Sequence, residues 1–316
     1  MRAPPFWQHD GLLPRLLSPF ANLTARVTAR RTAQPGMISP IPVICVGNAT
    51  VGGSGKTILV RSLLARYHAR AIPAFALTRG YGSRLAGPIA VDLAHHSAAD
   101  VGDEPLLLAA TAPTIVAKDR AAGARLAIAN GAARLIMDDG LQNPTLQKTL
   151  SLLVIDGGFG FGNGRVLPAG PLREPVAAAA ARCACAVLIG ADTCHARAAL
   201  PASLPVLTAH IAPISPVPLN NLRIVAFAGI GRPEKFFASL RACGAMIMAS
   251  LSLPDHHRYS HADCAHLADL AAQHQAVLVT TEKDQVKLTD PFRQACIVVK
   301  AELVFDTPDQ LDALLP

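Results

Sequence analysis

Residues 41–57 read Ile-Pro-Val-Ile-Cys-Val-Gly-Asn-Ala-Thr-Val-Gly-Gly-Ser-Gly-Lys-Thr. The apolar run Ile41–Val46 predicts a buried strand, Gly47–Gly55 predicts a glycine-rich turn, and the pattern over Lys56–Arg70 predicts a helix. A strand, a glycine-rich loop and a helix that opens with Gly-Lys-Thr are typical of the phosphate-binding loop of nucleotide-binding proteins. The sequence therefore predicts a P-loop NTPase-like α/β fold around this segment.

The chemistry of this loop suits a nucleoside triphosphate with Mg²⁺. Backbone N–H groups beside glycines can converge on phosphate oxygens because no Cβ blocks them. Lys56 would neutralise the β- and γ-phosphates, and the Thr57 hydroxyl would hold Mg²⁺. The usual motif begins with glycine where this chain has a threonine. The expected nucleotide-binding residues are Thr50, Val51, Gly52, Gly53, Ser54, Gly55, Lys56 and Thr57.

Apolar segments alternate with helical patterns further along the chain. Strands are predicted at 74–78, 114–117, 135–137 and 152–155, and a helix is predicted at 120–130. Such alternation predicts a mostly parallel sheet flanked by helices. Functional side chains should then gather at the carboxyl ends of the strands.

A second, smaller α/β domain is predicted towards the C-terminus. Prolines recur over residues 201–219 and predict a linker. Beyond it, strands are predicted at 223–228 and 277–280, with helices at 233–243 and 261–274. The predicted organisation is an N-terminal segment over 1–40, a nucleotide-binding domain over 41–215 and a C-terminal domain over 216–316.

The N-terminal segment carries an amphipathic helical pattern. Apolar residues recur at spacings of three and four, with an aromatic pair before them and arginines at Arg15, Arg26, Arg30 and Arg31. This pattern predicts a membrane-associating helix that lies in the interface, with a helix docked on its own domain as the alternative. No run of 18 apolar residues occurs, so the sequence predicts peripheral or N-terminally anchored attachment. The apolar residues are Leu12, Leu13, Leu16, Leu17, Phe20, Leu23 and Val27.

Composition limits the class of partner. The chain is 51% hydrophobic and 16% charged, which is typical of a globular protein, and its net charge of +7 favours an anionic partner such as a nucleotide or a phospholipid. Basic and aromatic residues do not interleave, which argues against nucleic acid. Seven cysteines without a CxxC pair argue against disulfides and zinc, and favour a reducing compartment.

Other polar groups allow more than one interpretation. Asp138 and Asp139 follow a predicted strand, where a second acidic group usually coordinates Mg²⁺. Arg79 and Tyr81 lie in a Gly-Tyr-Gly loop that could contact phosphate or sugar, or simply form a tight turn. Arg173, in a proline-rich loop, could bind an anionic group.

Three further groups have an ordinary structural interpretation beside a functional one. Asp103 and Glu104 open a leucine-rich helix, where acidic residues usually interact with the helix dipole. Asp119-Arg120 is typical of a helix cap. His256, in Asp255-His256-His257, could serve acid–base or metal chemistry, although adjacent histidines point in different directions and a loop histidine is usually structural.

Taken together, these strings resemble the tetraacyldisaccharide 4'-kinase family of lipid A biosynthesis. The resemblance implies transfer of the γ-phosphate of ATP to the 4'-hydroxyl of an acylated glucosamine disaccharide 1-phosphate, at the cytoplasmic face of the bacterial inner membrane. The basic N-terminal segment predicts an anionic membrane surface as partner, and no obligate protein partner is evident in the sequence. The matching segments are Pro5–Trp7, Val46–Thr57, Arg79–Gly82, Val101–Pro105, Asp119–Arg120, Asp138–Gln142, Leu167–Pro175, Phe227–Pro233, Asp255–His256 and Thr281–Asp284.

The resemblance also implies roles for single residues. It implies that Asp103 is the catalytic base and His256 its partner, with Lys56 completing the catalytic set. Glu104, Asp138 and Asp139 would join Thr57 as magnesium or nucleotide-site ligands, and Arg120 and Arg173 would contact phosphate. Ser54, Ile58 and Asn143 depart from the family pattern, and Asn143 replaces a histidine.

One alternative is a nucleotide-switch ATPase of the partition or maturation type. The loop of the partition type has a lysine before its two glycines, and that position here is Val51.

Overall fold

The structure is a computed structural model that describes residues 4–316. Contacts divide the chain into two units. One unit contains the residues up to His210 together with Leu303–Pro316, and the other contains Ile211–Glu302. The C-terminal end of the chain therefore belongs to the unit that holds the glycine-rich loop, which the sequence did not indicate.

The first unit is built on a mostly parallel sheet, as predicted. Its strands run in the order β8-β7-β6-β1-β5-β2-β4-β3. Neighbouring strands are parallel, except that the short β3 is antiparallel to β4. The strands are β1 (Val43–Gly47), β2 (Ala74–Thr78), β3 (Ile89–Ala90), β4 (Thr114–Val116), β5 (Arg134–Asp138), β6 (Leu150–Asp156), β7 (Cys185–Ile189) and β8 (Val206–Ile214).

Helices cover both faces of this sheet. Alternate residues of β1 belong to different apolar clusters: Val43 and Cys45 to one, Ile44 and Val46 to the other. All four are fully buried, as a central strand of a doubly covered sheet requires. The helices are α1 (Leu12–Thr32), α2 (Lys56–Ala69), α3 (Ala98–Val101), α4 (Asp103–Ala109), α5 (Arg120–Ala129) and α6 (Val176–Ala180).

The second unit is a smaller parallel α/β arrangement, with strand order β10-β9-β11-β12. Its core gathers apolar residues of β9, α7 and β11, including the fully buried Phe237 and Leu240. The elements are α7 (Pro233–Ala242), α8 (His261–His274), α9 (Glu282–Gln285), β9 (Arg223–Ala228), β10 (Met246–Ser252), β11 (Val277–Thr281) and β12 (Cys296–Phe305), the last of which continues into the first unit.

The C-terminal helix α10 (Pro308–Leu314) packs beside α2 within the first unit. Leu311 is fully buried in the same apolar cluster as Leu59 and Leu63. Polar contacts reinforce this packing, because Arg66 pairs with Asp312 at 2.8 Å and the Tyr67 hydroxyl donates to the Pro316 carbonyl at 3.1 Å.

The predicted strands and helices are present, with ends that differ by a few residues. The predicted linker over 201–219 is wrong in its centre, because β8 occupies Val206–Ile214. The side chains of Leu207 and Ala209, two alternate residues of that strand, are buried. Most of the prolines that suggested a linker lie before or after the strand. All seven cysteines are free, as predicted.

Helix α1 packs one face on the first unit and exposes the other. Leu17 and Ala25 pack on the first unit beside the buried Ala21, and Arg165 donates to the Ser18 hydroxyl at 2.7 Å. The opposite face is exposed, so Leu17 alone of the predicted apolar set lies on the docked face. Between 49% and 76% of each remaining member is exposed: Leu12, Leu13, Leu16, Phe20, Leu23 and Val27.

Over residues 4–316, none of the helices combines the length and apolarity needed to cross a bilayer.

We expect the Leu311→Ala substitution to lower the free energy of unfolding of the first unit by about 2–5 kcal/mol, because it leaves a cavity in a closed apolar cluster. Gln310→Ala, one residue away on the exposed side of α10, should change it by less than about 0.5 kcal/mol. Urea titration monitored by circular dichroism measures both. Equal small effects would show that α10 does not contribute to this core.

Candidate active site

The glycine-rich loop joins β1 to α2 and leaves space above its backbone. Gly52 has φ +105° and Gly55 has φ +89°, conformations that favour glycine. A Cβ at Gly52 or Gly53 would meet no atom within 4 Å, whereas a Cβ at Gly55 would lie 2.7 Å from Ile189 Cδ1. The positive φ of Gly55 is therefore the stronger reason for glycine at that position, and the open space at Gly52 and Gly53 lets a phosphate approach the backbone.

A second segment holds this loop in place. The Val51 amide donates to the Pro171 carbonyl at 2.9 Å, and the Arg173 amide donates to the Ala49 carbonyl at 2.7 Å. Thr50 and Leu172 form the antiparallel bridge between these bonds. The proline-rich segment that the sequence singled out is therefore a structural support of the loop.

Lys56 is oriented within the loop by Asn48 and Asp139. Its ammonium donates to Asn48 Oδ1 at 3.2 Å and lies 3.7 Å from Asp139 Oδ1. Asn48 is fully buried and also donates to the Thr50 hydroxyl at 3.1 Å. The ammonium is held at the start of α2, where a triphosphate would bring negative charge.

Thr57 and Asp138 meet at the carboxyl end of β5. The Thr57 hydroxyl donates to Asp138 Oδ2 at 3.1 Å. Asp138 Oδ1 and the Ser54 hydroxyl are both buried without a hydrogen-bond partner. A buried oxygen without a hydrogen-bond partner lowers the free energy of unfolding, unless a bound ligand supplies the missing partner.

Asp139 is held in a conformation that few residues adopt. Its φ is +53°, in the left-handed region, and its amide donates to the Val46 carbonyl at 3.0 Å. Arg173 binds its carboxylate in a bidentate manner, at 2.8 and 3.0 Å. This pair keeps the Asp139 carboxylate beside Lys56.

The two aspartates differ in acidity. Burial, and then the negative charges of Glu104 and Asp139, raise the pKa of Asp138 well above its usual range, although Lys56 opposes them. Burial would also raise the pKa of Asp139, but the charges of Lys56 and Arg173 outweigh it and lower that pKa. Adjacent carboxylates therefore coexist because cations stabilise one of them and the other resists ionisation.

Two further predicted residues, Asp103 and Glu104, lie at the start of α4. Asp103 is 5% exposed, and its Oδ1 accepts the Glu104 amide at 3.0 Å. Glu104 lies close enough for its charge to act on Asp138. A Cβ at Gly102 would lie 3.0 Å from the Tyr81 carbonyl, so the loop that carries Arg79 and Tyr81 packs against this helix start.

The predicted arginines lie in different surroundings. Arg79 is exposed, and so is the neighbouring Tyr81 side chain. Arg120 is buried and donates to the Ala117 carbonyl, while Asp119 caps α5 through the Ala121 and Ala122 amides, as the sequence predicted. Burial lowers the pKa of Arg120 to about 10, and its Nε has no partner.

The residues around Asp138 fit a magnesium ion that is also held by the nucleotide. The described part of the chain holds no group of three or more His, Cys, Asp or Glu side chains arranged for a metal. The unpaired Asp138 Oδ1 beside the Thr57 hydroxyl offers two oxygen ligands, which suits Mg²⁺ because it usually keeps waters and phosphate oxygens.

His256 belongs to the second unit. It has φ +61°, and its amide donates to Asp255 Oδ1 at 3.1 Å. Lys283 donates to the same oxygen at 3.2 Å. The His256 ring lies 3.7 Å from Asp255 Oδ2 and the adjacent His257 ring lies 3.1 Å from Asp263 Oδ2, so the two rings have different carboxylate neighbours.

Sequence reasoning missed the side chains that support the loop. Asn48 binds Lys56, and Gln142 donates both to the Asn48 carbonyl at 2.9 Å and to Glu174 at 2.8 Å. The only signal was position, because Asn48 and Gln142 follow a strand end and Glu174 follows Arg173. Asn143 accepts from the Thr145 amide and hydroxyl, which makes it a turn residue.

Comparison with known proteins matches nearly the whole chain. Residues 13–316 match the sequence model of the family described as tetraacyldisaccharide-1-P 4'-kinase. A tetraacyldisaccharide 4'-kinase of Gluconacetobacter diazotrophicus is 52% identical over 318 residues, which cover 100% of this chain and 97% of the relative. Another, of Rhodospirillum rubrum, is 47% identical over 321 residues, which cover 100% of this chain and 97% of that relative.

A solved structure is similar to this fold. It is a crystal structure of the "apo" form of LpxK from Aquifex aeolicus in complex with ATP. The match has a TM-score of 0.76 and 26% sequence identity, and covers 96% of this chain and 98% of that chain.

We expect the Asp138→Asn substitution to stabilise the ligand-free protein at pH 8 by about 1–3 kcal/mol, because it removes a buried charge that the site disfavours. The raised pKa means that the folded state holds its proton to higher pH than the unfolded state, so stability falls as pH rises through that window. The gain should therefore shrink at about pH 3, below the ordinary pKa of aspartate, where the side chain is mostly protonated in both states. Urea titration at the two pH values measures it.

Asp139→Asn is the matched control, since asparagine also tolerates φ above zero. The lowered pKa of Asp139 contributes stability above about pH 4, so this variant should lose stability at pH 8. Destabilisation of both variants at pH 8 would contradict the charge assignment.

Proposed function

This chain belongs to the tetraacyldisaccharide 4'-kinase family, and we propose that it phosphorylates the 4'-hydroxyl of a tetraacylated glucosamine disaccharide 1-phosphate with ATP. One observation carries the proposal. In a chain that matches the family over residues 13–316, the Gly-Lys-Thr loop brings Lys56 and Thr57 against Asp139 and Asp138 at the end of a parallel strand. That is the arrangement that phosphoryl transfer from a nucleotide requires.

The glycine-rich loop binds the triphosphate. Accessible amides at Gly52 and Gly53 and the Lys56 ammonium offset the charge of the phosphate oxygens. Thr57 and Asp138 would hold Mg²⁺, which when bound supplies charge neutralisation between the β- and γ-phosphates. The Ser54 hydroxyl, buried without a partner, would donate to a phosphate oxygen.

Asp103 is proposed to accept the proton of the acceptor hydroxyl. As the 4'-oxygen bonds to the γ-phosphorus, the bond from that phosphorus to the β–γ bridging oxygen breaks, ADP leaves and the proton passes to the carboxylate. The Glu104 amide donates to Asp103 Oδ1 at 3.0 Å and so restricts the orientation of the carboxylate. The family resemblance supports a catalytic role for His256 as well.

The remaining arginines are proposed to bind the anionic acceptor and the transferred phosphate. Arg79 and Tyr81 are exposed on the loop that packs at the start of α4, beside the proposed base. Arg120 lies near enough for the charges of Arg79, Asp138 and Asp139 to act on its pKa. Arg173 acts through Asp139, which it pairs with at 2.8 Å.

Helix α1 is proposed to hold the enzyme at an anionic membrane surface, the cytoplasmic face of the inner membrane. On a helix with about 100° per residue, its six exposed apolar residues fall within an arc of about 100°. Arg15 and Arg26 lie beside that arc, and Arg30 and Arg31 lie in the last turn, all exposed. An apolar face with a basic border is typical of interfacial helices.

We expect Asp103→Asn to lower kcat for phosphorylation of the disaccharide by about 10²–10⁴-fold, as for loss of a general base, with little change in the KM for ATP. Lys56→Ala should lower both kcat and ATP affinity, because Lys56 contacts the nucleotide itself. Transfer of ³²P from ATP to the lipid measures both. A change confined to the KM for ATP in Asp103→Asn would make Asp103 a nucleotide ligand and not the base.

We expect Phe20→Ser with Leu23→Ser to weaken binding to vesicles containing phosphatidylglycerol about tenfold or more, because it removes two large apolar groups from the interfacial face. Asn22→Ser with Ala29→Ser changes exposed positions outside the apolar arc and should bind like the native chain. Vesicle cosedimentation measures both. Equal binding by the two double variants would refute the role of α1.

A further inference from the structure

Glu174 is a buried carboxylate that the proposed mechanism does not use. It is 2% exposed. Its Oε1 accepts from Arg182 at 2.6 Å and from Gln142 at 2.8 Å. A carboxylate this deeply buried stays ionised only if a cation and hydrogen bonds compensate it.

Arg182 supplies that cation from outside the phosphate-binding motifs. It follows α6, where its amide donates to the Ala179 carbonyl at 3.2 Å, and its side chain is 32% exposed. Lys148 lies in the same cavity, of about 260 Å³, but its ammonium donates to the Asn143 carbonyl. The ion pair that neutralises Glu174 is therefore the one with Arg182.

Gln142 connects this ion pair to the nucleotide loop. The Nε2 group that donates to Glu174 also donates to the Asn48 carbonyl at 2.9 Å. Asn48 in turn accepts Lys56 through its side chain at 3.2 Å. Displacement of Gln142 would therefore release the residue that orients the catalytic ammonium.

The same glutamine connects the ion pair to the acidic site. Gln142 Oε1 accepts from Arg173 at 3.4 Å, and Arg173 holds both oxygens of Asp139. Because Glu174 fixes the amide group of Gln142, it also fixes which end of that side chain faces Arg173. The Glu174 carboxylate therefore influences both the Asn48–Lys56 pair and the Arg173–Asp139 pair.

We propose that Arg182 is a positioning residue for phosphoryl transfer: by neutralising Glu174 it keeps Gln142 oriented between the loop carbonyl of Asn48 and the Arg173–Asp139 pair. This inference rests on the proposed kinase function. Arg182 acts through these side chains and contacts neither the nucleotide nor the acceptor. Loss of such supporting partners typically costs about 10–100-fold in activity.

The test begins with Arg182→Ala in the full-length chain. The expected result is a fall in kcat of about tenfold or more, with the KM for the disaccharide within about twofold of the native value. The truncated side chain opens the adjoining cavity, so millimolar guanidinium chloride should restore part of the lost kcat, whereas urea at the same concentration should not. Arg197→Ala, an exposed arginine of the same unit, should show neither effect.

A second variant covers the case in which Arg182→Ala folds poorly. Arg182→Met with Glu174→Gln removes both charges and keeps a carbonyl acceptor for Gln142. It should regain thermal stability and a kcat within about threefold of the native value, because the orientation of Gln142 is restored.

Three possible results would overturn either the positioning role of Arg182 or the proposed kinase function. A native kcat in well-folded Arg182→Ala would overturn the positioning role. A double variant that regains stability but not kcat would also overturn it, because the charge pair would then not act through Gln142. A native chain that binds ATP and phosphorylates no lipid would refute the proposed function instead, so the two failures are distinguishable.

Discussion

The arrangement of this site depends on the repulsion among carboxylates at the end of β5. Burial raises the pKa of Asp138, and the nearby charges of Glu104 and Asp139 raise it further. Lys56 and Arg173 offset that cost at Asp139, while Asp138 keeps a raised pKa and an unpaired oxygen. We propose that a magnesium nucleotide relieves this repulsion, because it would bring a cation for the carboxylates and phosphates for the lysine.

The parts of the site with a local cause could be predicted from the sequence. The conformation of the glycine-rich loop depends on the positive φ values of Gly52 and Gly55, which glycine adopts readily because it has no Cβ. Asp119 caps α5 through amides two and three residues away, which is also a local pattern. Parallel strands then bring Asp138 to the loop, because β5 pairs with β1 and both strands end at one edge of the sheet.

Contacts between distant segments could not be predicted in this way. Gln142 reaches Asn48 across 94 positions and Glu174 across 32, and no spacing rule relates them. The prolines before and after β8 suggested a linker because proline is unfavourable inside a sheet. The intervening residues nevertheless form a strand, and one face of it is buried through Leu207 and Ala209. The return of Leu303–Pro316 to the first unit depends on Leu311 packing against α2, a fit that the short helical pattern does not reveal.

The position of the added phosphate tests the central claim most directly. Purified protein would be incubated with ATP, Mg²⁺ and a tetraacylated disaccharide 1-phosphate, and the lipid examined by mass spectrometry and ³¹P NMR. The proposed function predicts a mass gain of a single phosphate, with the new resonance coupled to the 4' proton of the sugar. ATP hydrolysis that leaves the lipid mass unchanged, or a phosphate added elsewhere on the lipid, would contradict it.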